Sequence, residues 1–240
     1  MLFTYIWGVG FIFGLLLIAP FLWMYYAIKF LLGNRIANGY SQTFTRVWGR
    51  LVVLTTGSKV KVIGLENIAK AERTCFISNH QSLFDIPLLL GWLDRQTGFI
   101  AKKELKKIPI LSGWITAIHS AFIDRSNSRS AIESIKFGVE AIKSGYALAI
   151  FPEGTRSKDG HIADFKAGSL KLATNSNAVI QPVTIIGTRN IYEAQKRIRK
   201  SDLTLIIHKP IYPNDDIYKD KSMLLHNLKL TISMNDINLL

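Results

Sequence analysis

A histidine, His80, stands five residues before an aspartate, Asp85, within "SNHQSLFDIP" (78–87), between an apolar run and a proline. These two residue types form the base-and-orienter pair of general-base catalysis. The carboxylate fixes the imidazole tautomer and stabilises the cation formed when the ring takes a proton. A hydroxyl resting on the free ring nitrogen then becomes a nucleophile. On one straight helix five residues rotate a side chain by about 140°, and on one strand they point it to the opposite face. His80 and Asp85 therefore meet only where the chain changes direction. "TCFIS" (74–78) reads as a strand and a helix begins between Ser82 and Pro87, which supplies the change. Either Ser82 and Asp85 form a capping box, or Asp85 is the N-cap with Pro87 in the first turn. The spacing alone is weak, because His119 and Asp124 repeat it in "HSAFID", a strand-like run whose side chains should point apart.

A second stretch, "FPEGTRS" (151–157), follows the strand-like run "YALAIF" (146–151). Pro152 and Gly154 demand a tight turn. Glu153, Thr155 and Arg156 are then presented past a strand end, where α/β sheets place their ligands. Backbone N–H groups, a hydroxyl and a guanidinium fork suit a phosphate. The plainer reading is a polar turn carrying a surface arginine.

The elements that must position these residues alternate. β-rich runs recur at 59–64, 74–78, 97–102, 120–124, 146–151, 178–187 and 203–211, with helix-like segments between them. In "SRSAIESIKFGVEAIKSG" (128–145), Ile132, Ile135, Val139 and Ile142 fall at helical spacing before a glycine. Strands alternating with helices predict an α/β fold: one domain with a central mixed, largely parallel sheet flanked by helices.

Composition bounds the partners. With 240 residues, 48% hydrophobic and 20% charged, the chain can bury a core of its own. A net charge of +13 attracts anions: phosphates, acidic proteins, nucleic acid or a lipid leaflet. The single cysteine, Cys75, forbids an intrachain disulfide and sits in an apolar run as a small hydrophobe. The five histidines show no metal-ligand spacing. The first thirty residues carry no charged side chain before Lys29, a stretch longer than the roughly 20 apolar residues a spanning helix needs. No basic start and no small-residue cleavage site accompany it, so a signal peptide fits poorly. It reads either as one kinked spanning helix or as a hairpin broken near Ala19-Pro20 within one leaflet. The basic residues that follow (Lys29, Arg35, Arg46, Arg50) orient the rest toward the cytoplasm. The expected division is a membrane anchor over 1–34 and a catalytic domain over 35–240.

Taken together, "NHQSLFD" and "FPEGTRS" about seventy residues later resemble the glycerophospholipid acyltransferases, most closely those acting on 1-acylglycerol-3-phosphate. "AKKELKKIPILSGW" (101–114), "FIDR" (122–125), "FKAGSLKLA" (165–173) and "IQPVTI" (180–185) extend the likeness over roughly residues 58–211. The family usually carries glycine where this chain has His119. The resemblance implies His80 as general base with Asp85 as its partner. It implies Glu153, Gly154, Thr155 and Arg156 as the block that binds glycerol phosphate, with Arg125 and Lys102 at basic positions linked to the same phosphate. The implied reaction moves an acyl group from acyl-CoA or acyl carrier protein to the sn-2 hydroxyl of lysophosphatidic acid, without metal or other cofactor. A relative using glycerol-3-phosphate or another lysophospholipid is the alternative. A non-enzymatic basic protein bound to membrane or nucleic acid would leave both motifs unexplained.

Overall fold

The computed structural model describes residues 1–71, 73–124 and 127–237. Its centre is a seven-stranded sheet. The strands are β1 (Lys59–Ile63), β2 (Thr74–Ser78), β3 (Thr97–Lys102), β4 (Ala121–Ile123), β5 (Ala147–Ile150), β6 (Val179–Ile186) and β7 (Asp202–Ile207). Their order is β1-β7-β6-β2-β5-β3-β4. Every neighbouring pair is parallel except β6 with β7. The expected mixed, largely parallel sheet is therefore present. The carboxyl ends of β6, β2 and β5 lie side by side in it, which is the usual ligand edge of an open α/β sheet.

β2 is buried along its whole length and its residues alternate between two cores. Phe76 packs with Leu88, Leu89 and Val53 on one face. Cys75 and Ile77 pack with Ile142, Leu172, Leu224 and Leu228 on the other. Large apolar side chains buried this fully contribute about 1.5–3 kcal/mol each. Cys75 is the small core hydrophobe expected, and burial pushes its thiol up to about 12.

The helices are α1 (Leu2–Leu17), α2 (Ala19–Leu32), α3 (Asn34–Leu54), α4 (Asp85–Trp92), α5 (Pro109–Ala117), α6 (Ser128–Lys143), α7 (Lys171–Thr174), α8 (Asp216–Lys219) and α9 (Lys221–Ile237). On α6, Val139 and Ile142 are buried and Ile135 packs against the core, while Ile132 is exposed. The side chain of Asn127 caps this helix by accepting from the N–H groups of Arg129 and Ser130.

α1 and α2 form one bent rod, Leu2–Leu32, long and apolar enough to cross a membrane. The bend is at Ile18, just before Pro20. Helical hydrogen bonds still run through it, from Ile18 N–H to the Gly14 carbonyl and from Leu22 N–H to the Ile18 carbonyl. Of the two readings, a kinked helix and a hairpin broken near Ala19-Pro20, the described residues form the kinked helix, and the chain turns back at Gly33 into α3. α3 runs antiparallel beside the rod, with Phe21 on Phe44, Phe11 on Trp48 and the Trp7 indole N–H donating to Thr55 at 3.2 Å. The far end of the rod also touches the sheet domain, where Ile198 N–H donates to Thr4 at 3.0 Å. Composition alone hid α3, because its sequence "NRIANGYSQTFTRVWGRLVVL" is amphipathic rather than apolar.

α3 crosses α4 unusually closely. A β-carbon added at Gly49 would stand 2.5 Å from the Pro87 carbonyl oxygen and 2.9 Å from Gly91 N. Only glycine permits that approach, and it docks the rod's companion helix directly on the helix that begins with Asp85.

Candidate active site

β2 ends at Ser78, and residues 79–84 form an irregular link into α4. Buried Asn79 fixes the start of that link. Its amide donates to the Ile185 carbonyl and accepts from the Ile185 N–H, both at 2.8 Å, tying β2 to β6. The chain then bends so that His80 Nδ1 meets Asp85 Oδ2 at 2.6 Å. Half of the capping box expected from the sequence is formed: Asp85 accepts from the Ser82 N–H, but the Ser82 hydroxyl accepts from the Phe84 N–H rather than from that of Asp85. Phe84 occupies the cap position without a side-chain bond, and Asp85 is the first helical residue. Asp85 instead reaches back, and its Oδ2 accepts from the N–H groups of Gln81 at 2.7 Å and Ser82 at 2.8 Å. The carboxylate's pull toward these donors is what closes the loop and brings it under the imidazole.

The other Asp85 oxygen accepts from the Thr188 hydroxyl at 2.5 Å. Asp85 is fully buried with every bond charge-assisted, and the His80 side chain is 13% exposed. With Nδ1–H donated to the carboxylate, His80 Nε2 is left as an acceptor. The imidazole also stacks on Phe151, centroids 4.0 Å apart and planes 13° from parallel. Ring and carboxylate together fix the imidazole in two directions.

The turn after β5 brings the second motif alongside. Gly154 has φ 73, the left-handed region that favours glycine, and its N–H donates to the Phe151 carbonyl at 3.0 Å. Glu153 is buried, and both its oxygens are taken by backbone. Oε1 accepts from the His80 N–H at 2.7 Å and Oε2 from the Ala163 N–H at 2.9 Å. Burial holds its carboxyl above the usual carboxylate range, partly offset by those two N–H bonds. Its geometry is that of a brace between the two motifs. A further tie joins Ser157 N–H to the His80 carbonyl at 2.8 Å.

Thr155 and Arg156 are exposed at this edge. The Thr155 hydroxyl has no partner among the described residues. Arg156 Nη1 donates to Glu193 Oε1 at 2.8 Å. Lys102 ends β3 on the same side of the sheet and is exposed. Arg125 lies outside the described residues. Lys103 pairs with Asp124. Lys166, unassigned from the sequence, places its ammonium beside Gly154, 2.8 Å from where a β-carbon there would sit. The second histidine–aspartate spacing forms no site. His119 stacks on Tyr146 and its Nε2 lies 3.1 Å from Asn38 Oδ1. Its φ of 59 lies in the left-handed region that favours glycine.

Thr188 and Glu193 went unnoticed in the sequence. They follow β6 in "TRNIYEAQKR" (188–197), which has no recognisable spacing to either motif. The parallel pairing of β6 with β2 alone brings them to the site.

A mostly parallel sheet thus sets a carboxylate-oriented histidine and a cationic turn at adjacent strand ends. The chain belongs to the acyltransferase family, whose pattern it matches over residues 59–186. Among its relatives is a chloroplastic 1-acyl-sn-glycerol-3-phosphate acyltransferase of Brassica napus, 33% identical over 186 residues, 76% of this chain and 53% of that one. The chain thus spans about half the length of that relative. A 1-acyl-sn-glycerol-3-phosphate acyltransferase of Limnanthes douglasii is 34% identical over 204 residues, 84% of this chain and 68% of the other. The crystal structure of PlsC, the 1-acyl-sn-glycerophosphate acyltransferase of Thermotoga maritima, superposes with a TM-score of 0.83 at 29% identity, covering 99% of this chain and 93% of that one.

Proposed function

We propose that this chain transfers a fatty acyl group from an acyl thioester, acyl-CoA or acyl carrier protein, to the sn-2 hydroxyl of 1-acylglycerol-3-phosphate, forming phosphatidic acid. The observation that carries this reading is the His80–Asp85 contact of 2.6 Å at the same sheet edge as Arg156. His80 Nε2 takes the hydroxyl proton as the oxygen attacks the thioester carbonyl. A C–O bond forms and the carbonyl oxygen becomes an oxyanion. Collapse breaks the C–S bond, and the departing thiolate takes the proton from the imidazolium. A thiol is far more acidic than an alcohol, so departure needs little help. Base catalysis of this kind contributes about 10²–10⁴ in rate.

Arg156, Thr155, the Gly154 turn, Lys102 and Arg125 are the groups proposed to receive the acceptor's phosphate, with Glu153 bracing them against His80. A guanidinium fork matches phosphate geometry well, and holding the hydroxyl beside the base is worth several kcal/mol.

Residues 1–34 act as the membrane anchor and 35–240 as the catalytic domain, facing the cytoplasm. The rod touches its own domain from Thr4 to Tyr25, while Leu2, Phe3, Ile6, Val9, Phe13 and Trp23 stay exposed. That geometry supports a rod lying in one leaflet rather than crossing it. The lipid acceptor then reaches His80 without leaving the membrane.

The direct test supplies purified protein with lysophosphatidic acid, glycerol-3-phosphate and other lysophospholipids, each with a labelled acyl-CoA and a labelled acyl carrier protein. Phosphatidic acid from lysophosphatidic acid alone is the expected product. Turnover retained by His80→Ala, or preference for another acceptor, would refute the assignment.

A further inference from the structure

Glu193 has one carboxylate and three partners drawn from both motifs. Oε1 accepts from Arg156 Nη1 at 2.8 Å and from the Leu83 N–H at 2.9 Å, and Oε2 accepts from the Ser82 hydroxyl at 2.5 Å. Its side chain is 10% exposed, whereas that of Arg156 is 42% exposed. Ser82 and Leu83 belong to the link whose N–H groups hold Asp85. The guanidinium that would grip phosphate is therefore tied to the loop that carries the base, through a residue over 100 positions away from that loop. Arg156 spends one N–H group on this bond, and a guanidinium has five. The remainder of the fork stays available to an anion.

We propose that Glu193 is a positioning residue that holds Arg156 at a fixed separation from His80, so that a phosphate-bearing acceptor is seated with its hydroxyl at the base. A long exposed arginine otherwise samples many rotamers, and ordering it beforehand lowers the cost of binding. This inference rests on the phosphate-gripping part assigned to Arg156 above. Glu193 touches no reacting atom. The bonds of Asp85 to Gln81, Ser82 and Thr188 do not pass through Glu193.

The test is a double-mutant cycle on the full chain in detergent–lipid micelles, with lysophosphatidic acid and acyl-CoA varied separately. Glu193→Ala is expected to raise KM for lysophosphatidic acid about tenfold, leaving KM for acyl-CoA unchanged and kcat within a few-fold. In an Arg156→Ala background the same substitution should add almost nothing, because the residue to be held is gone. On the slow background turnover of 1-monoacylglycerol, which lacks the phosphate, Glu193→Ala should have a much smaller effect than on lysophosphatidic acid. Glu193→Gln, which can still accept from Arg156, should recover part of the lost affinity. If the alanine variant does not fold, the glutamine variant carries the same cycle with a smaller effect. Fully additive effects of the two positions, or equal losses with and without the acceptor phosphate, would overturn the inference. If Arg156→Ala itself leaves KM for lysophosphatidic acid unchanged, it is the phosphate-gripping assignment that fails.

Discussion

The backbone N–H of His80 donates to the carboxylate of Glu153 at 2.7 Å, joining two motifs 73 residues apart in the chain. The same carboxylate accepts from Ala163, so the turn after β5 is sewn to the end of β2 and to the loop that follows it. Glu153→Gln replaces one accepting oxygen with an amide NH2 that faces a backbone N–H. A buried donor without an acceptor costs about 1–3 kcal/mol. Urea unfolding should show a stability loss of that order, with lowered activity toward every acceptor alike.

Asp85→Asn should remove most of the transfer activity while leaving the fold and membrane binding intact. An amide in place of the carboxylate permits the wrong imidazole tautomer and no longer stabilises the imidazolium, a loss of about 10³–10⁴ by analogy with orienting aspartates elsewhere. Thr188→Val removes only one of Asp85's donors and should cost about tenfold in kcat. Steady-state kinetics on both variants ranks the two effects, and an equal loss would mean that Thr188 does more than hold the carboxylate.

Gly49→Ala would drive a methyl group into the Pro87 carbonyl, 2.5 Å from the ideal β-carbon. The collision is with backbone, so α3 and α4 must separate. Overpacking of this kind typically costs about 1–3 kcal/mol. Thermal unfolding should show the loss, and kcat should fall with it because α4 carries Asp85. The same change at exposed Gly39, where an added β-carbon meets nothing within 4 Å, should be neutral or slightly stabilising.

Burial, reinforced by the charge of Lys29, lowers the His119 pKa to about 4, and burial lowers that of His208 as well. The unfolded chain binds these protons near the ordinary histidine value of about 6.5. The stability they contribute is therefore whole above that pH and is lost as pH falls toward 4. Unfolding temperature should drop between pH 7 and pH 5. His119→Asn, which tolerates the left-handed backbone, should flatten that slope, while His208 preserves part of it. An unchanged slope in the variant would show that His119 is not the group responsible.

Much of the fold was legible because its signals are local. The strand "TCFIS", bounded by polar residues, and the helix before Gly145 announce themselves by apolar run and period. The motif turns were legible because Pro152 and Gly154 restrict the backbone at fixed positions. α3 escaped notice because it shares its apolar residues between the rod, α4 and solvent, leaving no continuous run. Glu193 and Thr188 escaped for a different reason. A carboxylate and a hydroxyl on an irregular segment carry no period, and their part exists only through strand order. The break at Pro20 was correctly located, but proline sets only that a helix bends, and the neighbours in α3 and α5 decide by how much.

The interlock of Gly49 with Pro87 and Gly91 makes the amino-terminal rod more than a tether. A tether can be exchanged for any other hydrophobic segment, since it sets only residence at the lipid surface. Here the rod packs along its antiparallel companion, and that companion is locked onto the helix that starts with Asp85. With the rod as the anchor proposed above, its depth in the lipid would set the height of the imidazole. A chimera bearing a foreign anchor would stay on vesicles and yet work at the wrong altitude.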